Sequence, residues 1–161
     1  MCRSLATSSP YSRFVHVRRA GAADVDDLAR LRAAWRGISD ALPFPASFRD
    51  WFRREESSRW WWIAVDDGHP VGMVNLKLFD RMPAPDKPAT RWGYLANLFV
   101  LPDHRGAGVG GALVAAVIDG ARAEGLVRLV LSPSAQSVPL YVRHGFREAS
   151  DLLILPLGDE P

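Results

Sequence analysis

Residues 97–114, Asn97-Leu98-Phe99-Val100-Leu101-Pro102-Asp103-His104-Arg105-Gly106-Ala107-Gly108-Val109-Gly110-Gly111-Ala112-Leu113-Val114, read as a strand, a glycine-rich turn and the start of a helix. The apolar run ends at Pro102, which has no amide hydrogen to give a sheet ladder, and the glycines beyond it precede apolar residues at helical spacing. Free amides in a helix's first turn, with the positive end of its dipole, make an anion site, and glycine lets a phosphate approach the backbone. The stretch therefore predicts a site for a phosphate-bearing compound.

Two common phosphate motifs fit poorly. Gly106, Gly108 and Gly111 satisfy G-x-G-x-x-G, but a dinucleotide site also wants an acidic residue about 20 positions on, and the next strand ends in Leu131-Ser132. A triphosphatase loop needs Gly-Lys-Ser/Thr after its last glycine, where this chain has Gly110-Gly111-Ala112. What remains is Arg105-x-x-Gly108-x-Gly110 behind a Val-x-Pro-Asp approach. With Pro139-Leu140-Tyr141-Val142-Arg143-His144-Gly145-Phe146 further on, it resembles the GNAT superfamily of acyl-CoA-dependent N-acyltransferases. The motifs lie 31 residues apart (Gly110 to Tyr141, 141 − 110), room for one helix and one strand in the family's order.

The resemblance implies acetyl-CoA as co-substrate and a mixed, mostly antiparallel α/β sheet of about seven strands with about four helices. A splayed parallel strand pair would hold the coenzyme. Leu98, Phe99 and Val100 would pair with its pantetheine arm, and Arg105, Gly106, Ala107, Gly108, Val109, Gly110 and Gly111 would hold its pyrophosphate, with Ser134 joining the coenzyme set. The acceptor, an amine of a small molecule or peptide, would pass Phe44, Phe48 and Trp51.

At 161 residues and 48% hydrophobic content the chain suits one domain, expected over residues 13–161 behind a loosely ordered, serine-rich segment 1–12. Eighteen arginines against two lysines, Lys77 and Lys87, leave a net charge of only +2. No basic run exceeds two residues and acidic residues are interspersed, so nucleic acid is not an expected partner. The single cysteine, Cys2, rules out an internal disulfide and a cysteine metal site; no metal is expected. No apolar run approaches the roughly 18 residues of a membrane span and none has the form of a signal peptide, so a cytoplasmic monomer or homodimer is expected.

Along the chain, residues 13–18 alternate as a half-buried strand. Asp24 caps a helix with Val25, Leu28, Leu31 and Trp35 at helical spacing, and after a loop holding Pro43 and Pro45, Ser47 caps a second to about Glu56. Residues 59–65 and 71–79 form a hairpin around Asp67-Gly68, with Trp60 and Trp62 on one face and Trp61 on the other. A stiff loop with Pro83, Pro85 and Pro88 leads to a strand over 91–100, a helix to Gly125, a buried strand over 126–131 and a helix ending at Gly145. Residues 146–149 and 152–157 read as a closing hairpin.

Acyl transfer from a thioester to an amine needs a neutral amine, stabilisation of the carbonyl oxygen and a proton for the departing thiolate. Tyr141 is the candidate proton donor in this family context, and a bulge near Val100 would turn a backbone amide toward the carbonyl. The strand before the glycine turn, Trp92-Gly93-Tyr94-Leu95-Ala96-Asn97, holds no carboxylate where many family members carry a glutamate. Asn97 can orient the amine but not take its proton, leaving Tyr94, a water chain or another element as base. His104 reads as a solvent-facing loop residue. A domain that binds coenzyme A without catalysis is the alternative, which turnover of acetyl-CoA with an amine distinguishes.

Overall fold

The computed structural model describes residues 15–38 and 44–158, so the segment 1–12, the start of the first predicted strand and Pro43 lie outside the described residues. Five strands form one sheet in the order β1 (His16–Ala20), β2 (Arg59–Asp66), β3 (His69–Asp80), β4 (Arg91–Val100) and β5 (Leu129–Val130). The first four pair antiparallel, and β5 joins β4 in parallel. Helices α1 (Val25–Trp35) and α2 (Phe44–Glu55) pack on one face; α3 (Val109–Ala123) and α4 (Val138–Arg143) pack on the other.

The tryptophan run in β2 ties the layers together. Trp61 is buried with Phe48 and Phe52 of α2, whereas Trp62 is buried under α3, as the two-residue period of a strand requires. The hairpin after β2 turns through Asp67 and Gly68, at φ 47° and 78°, the pair of positive angles that matches strand twist in a two-residue turn. Glu55, at the end of α2, accepts hydrogen bonds from Arg59 (3.0 Å) and Lys77 (2.7 Å). Arg59 also donates to the fully buried Asn75 at 2.6 Å, so α2 is tied to β2 and β3.

Several expectations need correction. Helix α2 begins at Phe44, not after Ser47, with Pro45 in its first turn, where a missing amide costs nothing. The Ser47 hydroxyl instead donates back to the Phe44 carbonyl at 2.9 Å. Asp24 does stand at the start of α1, but its carboxylate accepts from Arg18 (2.7 and 2.9 Å) and the Gly21 amide (3.0 Å) rather than capping the helix. Trp35, the last residue at the helical spacing of Val25, Leu28 and Leu31, is 40% exposed. Among the described residues the sheet has five strands rather than about seven, because residues 146–157 form no strand. The edge they would join is two residues long, Phe146 is held edge-on to Tyr141 at 5.6 Å, and Pro156 lacks an amide to donate.

Gly120 on α3 faces the Trp62 ring so closely that an added Cβ would stand 2.7 Å from Cζ2. Alanine is the better helix former by about 1 kcal/mol, but forcing a methyl against a rigid buried indole costs about 1–3 kcal/mol. Net of the two, Gly120→Ala should lose up to about 2 kcal/mol and lower the melting temperature by up to roughly 8 °C, and a rise in a thermal melt would show that the ring yields.

Lys77 and then Arg59 hold the Glu55 carboxyl below its ordinary value of 4.5 against the opposing effect of burial. A depressed folded pKa stabilises above the unfolded value, and the contribution is lost as pH falls through the folded one. Glu55→Gln should melt earlier than the parent at pH 7, with the gap closing well below pH 4.5; a gap of constant size across thermal melts from pH 7 to pH 3 would remove the ion pairs as its cause.

Candidate active site

Strand β4 is paired with β3 along its length but with β5 at two positions only, Gly93 to Leu129 and Tyr94 to Val130. Beyond Tyr94 the two parallel strands part. Where they separate, β4 carries an extra residue. Met73 stands opposite Phe99 and Asn75 opposite Ala96, so two steps on β3 match three on β4. Asn97, at φ 57°, takes the left-handed angle that this bulge needs and that asparagine tolerates better than most residues. The slip inverts the faces that follow. Phe99 packs with the α1–α2 layer, while Leu98 and Val100 pack with the α3 layer.

The opened gap is a cleft of about 910 Å³. Asn97, Leu98, Phe99 and Val100 line one wall, and Leu131 through Ser134 the other. Its floor is the glycine turn: Gly106, Gly108, Val109, Gly110 and Gly111 line it, with Arg105 beside them. Gly106 and Gly108 have φ of 75° and 81°, and a Cβ at either would point into open space. The helix behind them runs 15 residues. This is the open, amide-lined start of a long helix that a phosphate needs, and the residues present suit a pyrophosphate. Ala107 shares the turn without lining the cleft.

A second cleft, of about 300 Å³, lies between the two helices on the opposite face. Phe44, Phe48, Trp51 and Trp61 supply its aromatic walls, and Arg32 and Ser47 its polar edge. Asn97 lines both clefts. The bulge thus borders both the amide-lined space and the aromatic one.

Tyr141, from α4, is 7% exposed and lines the larger cleft. Burial pushes its phenol above the ordinary value of 10.0, so it keeps its proton at neutral pH. Tyr94 is half-buried opposite Lys77 and lines neither cleft. Arg105 donates from Nε to the Val100 carbonyl at 2.9 Å and lies over the Phe99 ring, pinning the turn to the strand end. His104 departs from the solvent-facing expectation. Its Nε2 lies 3.2 Å from Asp66, its Nδ1 is buried with no hydrogen-bond partner among the described residues, and the residue lines the larger cleft. Trp35, stacked on Phe99 at 5.8 Å, also lines that cleft, which its place in a helical apolar stripe did not signal. Among the described residues no Asp or Glu lines either cleft, and no group of three His, Cys, Asp or Glu could hold a metal. No helix among them is long and apolar enough to cross a membrane.

A parallel strand pair splayed above a glycine turn, inside an otherwise antiparallel sheet, is the acyl-CoA N-acyltransferase fold. The profile of the acetyltransferase (GNAT) family matches residues 25–146, and the chain belongs to that family. It is 37% identical over 97 residues to an uncharacterized N-acetyltransferase, YjcF, of Bacillus subtilis (strain 168), covering 60% of this chain and 62% of that protein. It is 36% identical over 80 residues to a glucosamine 6-phosphate N-acetyltransferase of Trypanosoma brucei brucei, covering 50% of this chain and 52% of that one. The matches thus span between about half and six-tenths of those relatives. A predicted acetyltransferase with acetyl-CoA from Clostridium acetobutylicum shares the fold at a TM-score of 0.71 and 21% identity, over 89% of this chain and 97% of that one.

Proposed function

We propose that this chain is an N-acetyltransferase that moves an acetyl group from acetyl-CoA to an amine of a small molecule or peptide. The observation that carries the reading is that Asn97 lines both clefts, an amide-lined space and an aromatic one. Two reactants held in separate clefts that share a lining residue gain the orientation a direct transfer requires.

Acetyl-CoA brings the activated acyl group as a thioester. In this reading the glycine-turn amides and the α3 dipole bind its pyrophosphate, while Leu98, Phe99, Val100 and Ser134 flank its arm. An amide of the bulged strand donates to the carbonyl oxygen as negative charge develops there. The acceptor nitrogen approaches from the aromatic cleft past Phe44, Phe48 and Trp51, which favours an amine with an apolar or aromatic body. Asn97 orients that nitrogen. The N–C bond forms, the C–S bond breaks, and the Tyr141 hydroxyl gives its proton to the leaving thiolate. The lack of a carboxylate in either cleft among the described residues favours one other reading, a domain that binds coenzyme A without turnover. Release of free thiol from acetyl-CoA across a panel of amines decides between them.

Tyr141→Phe should retain the fold and the melting shift produced by acetyl-CoA, because one hydroxyl is lost. Its chemical step should slow by roughly 10²-fold to 10⁴-fold, the range for one general acid. Parental single-turnover rates in this variant would make Tyr141 a packing residue.

Acetyl-CoA at about 100 times its dissociation constant should stabilise the parent by roughly 2.7 kcal/mol. Gly108→Val forces a branched residue to a φ of 81° and fills the space in front of the amides, so it should lose that shift. A full thermal shift in the valine variant would move the coenzyme away from this turn.

A further inference from the structure

Arg32 sits on α1 and forms part of the wall of the aromatic cleft. It is half-buried, and among the described residues its one close partner is the Trp35 ring, 4.7 Å from the guanidinium carbon. The acidic residues of the two helices are engaged elsewhere: Asp26 with Arg49 at 2.7 Å, Asp27 with Arg30 at 2.8 Å, Asp50 with Arg53 at 3.4 Å, and Glu55 with Lys77 and Arg59. The cleft is otherwise walled mostly by the rings of Phe44, Phe48, Trp51 and Trp61, with no other charged side chain among its described lining. Burial, and after it the like charge of nearby Arg36, hold the Arg32 guanidinium below its ordinary value, yet a guanidinium stays charged at neutral pH. A cation kept in an apolar cleft, with a ring for support and further positive charge behind it, offers unused donors to whatever enters.

We propose that the acceptor amine carries an oxyanion group, a carboxylate or a phosphate ester, which Arg32 receives while the apolar body lies against Phe48 and Trp51 and the nitrogen reaches Asn97. The inference rests on the transferase reading and narrows its acceptor to an anionic amine. Guanidinium is suited to this role because its planar fork matches both oxyanions in two-point contact. Removing one charged partner from a partly desolvated contact costs at least about ten-fold in affinity.

Trp51 and Trp61 line the cleft, so its occupancy can be followed by tryptophan fluorescence. The full chain would be titrated with 3-phenylpropionate, 2-phenylethyl phosphate and the neutral 3-phenylpropan-1-ol. At least one anionic probe should bind roughly ten-fold or more tightly than the alcohol. Carboxylate and phosphate arms then identify which oxyanion the site prefers. Arg32→Gln should abolish the preference, and Arg32→Lys should restore part of it. Equal affinities in the parent, undetectable binding of both anions, or an unchanged preference in Arg32→Gln would overturn the proposal. The parent comparison decides even if a variant folds poorly. Thiol release from acetyl-CoA is measured in parallel with phenylalanine and phenethylamine. Release without preference for the anionic amine overturns the Arg32 assignment alone, whereas a retained anion preference with no release from any amine overturns the transferase reading beneath it.

Discussion

Strand β4 must satisfy two demands that conflict, and the extra residue at Asn97 is how the chain meets both. A strand in the middle of a sheet normally pairs on both sides, which would close the space between β4 and β5. Here pairing with β3 persists past the slip while pairing with β5 ends at Tyr94. The cost is a non-glycine residue in the left-handed region, which the ladder on the β3 side holds in place. The slip also changes which layer each later side chain serves. An unbulged strand would send Phe99 to the α3 side with Leu95; instead it packs under α1 and α2 and carries Trp35 stacked upon it. One inserted residue thereby opens the larger cleft, sets its wall and turns Asn97 toward both spaces.

Parts of this were legible because they depend on local chemistry. Gly108, Gly125 and Gly145 all adopt positive φ at helix boundaries, and the strand period alone divides Trp61 from Trp62. The glycine turn could be read as an anion site because its geometry follows from residues a few positions apart. Other features depend on distant partners. Asp24 has the right chemistry and position for a cap, but Arg18, brought beside it by the turn after β1, takes its carboxylate. Trp35 continues the helical stripe, yet the stripe extends past the edge of the core and into the cleft wall. Residues 152–157 have the apolar pattern of a strand, but a strand also needs an edge to pair with, and β5 offers two residues. Leu153, 98% exposed, shows that composition without a partner does not make an element. Arg32 carries no signal in the sequence, since no spacing rule says that neighbouring acids are spent on other cations.

The base is the remaining chemical question for a transferase of this form. Family resemblance directs attention to a strand glutamate that is absent, and the described cleft linings add no carboxylate. Among the described residues His104 is the imidazole that lines the larger cleft, but it sits in the turn behind Val100, is engaged with Asp66, and does not line the aromatic cleft. That geometry suits a residue that braces the turn against the end of β2.

A strong base is needed only if the amine arrives strongly basic, and the proposed acceptor cleft acts on that quantity directly. Removing an ammonium from water disfavours its charge, and like charge from a guanidinium disfavours it further, so both lower the amine's pKa on binding. The aromatic walls supply the first effect and Arg32 with Arg36 the second. An oxyanion on the acceptor offsets part of the second by pairing with Arg32, but it also fixes the molecule so that its nitrogen stays in the apolar region. In this reading the cleft selects the acceptor by its anion and deprotonates it by its environment. Water then suffices to carry the proton away, with no carboxylate on the strand.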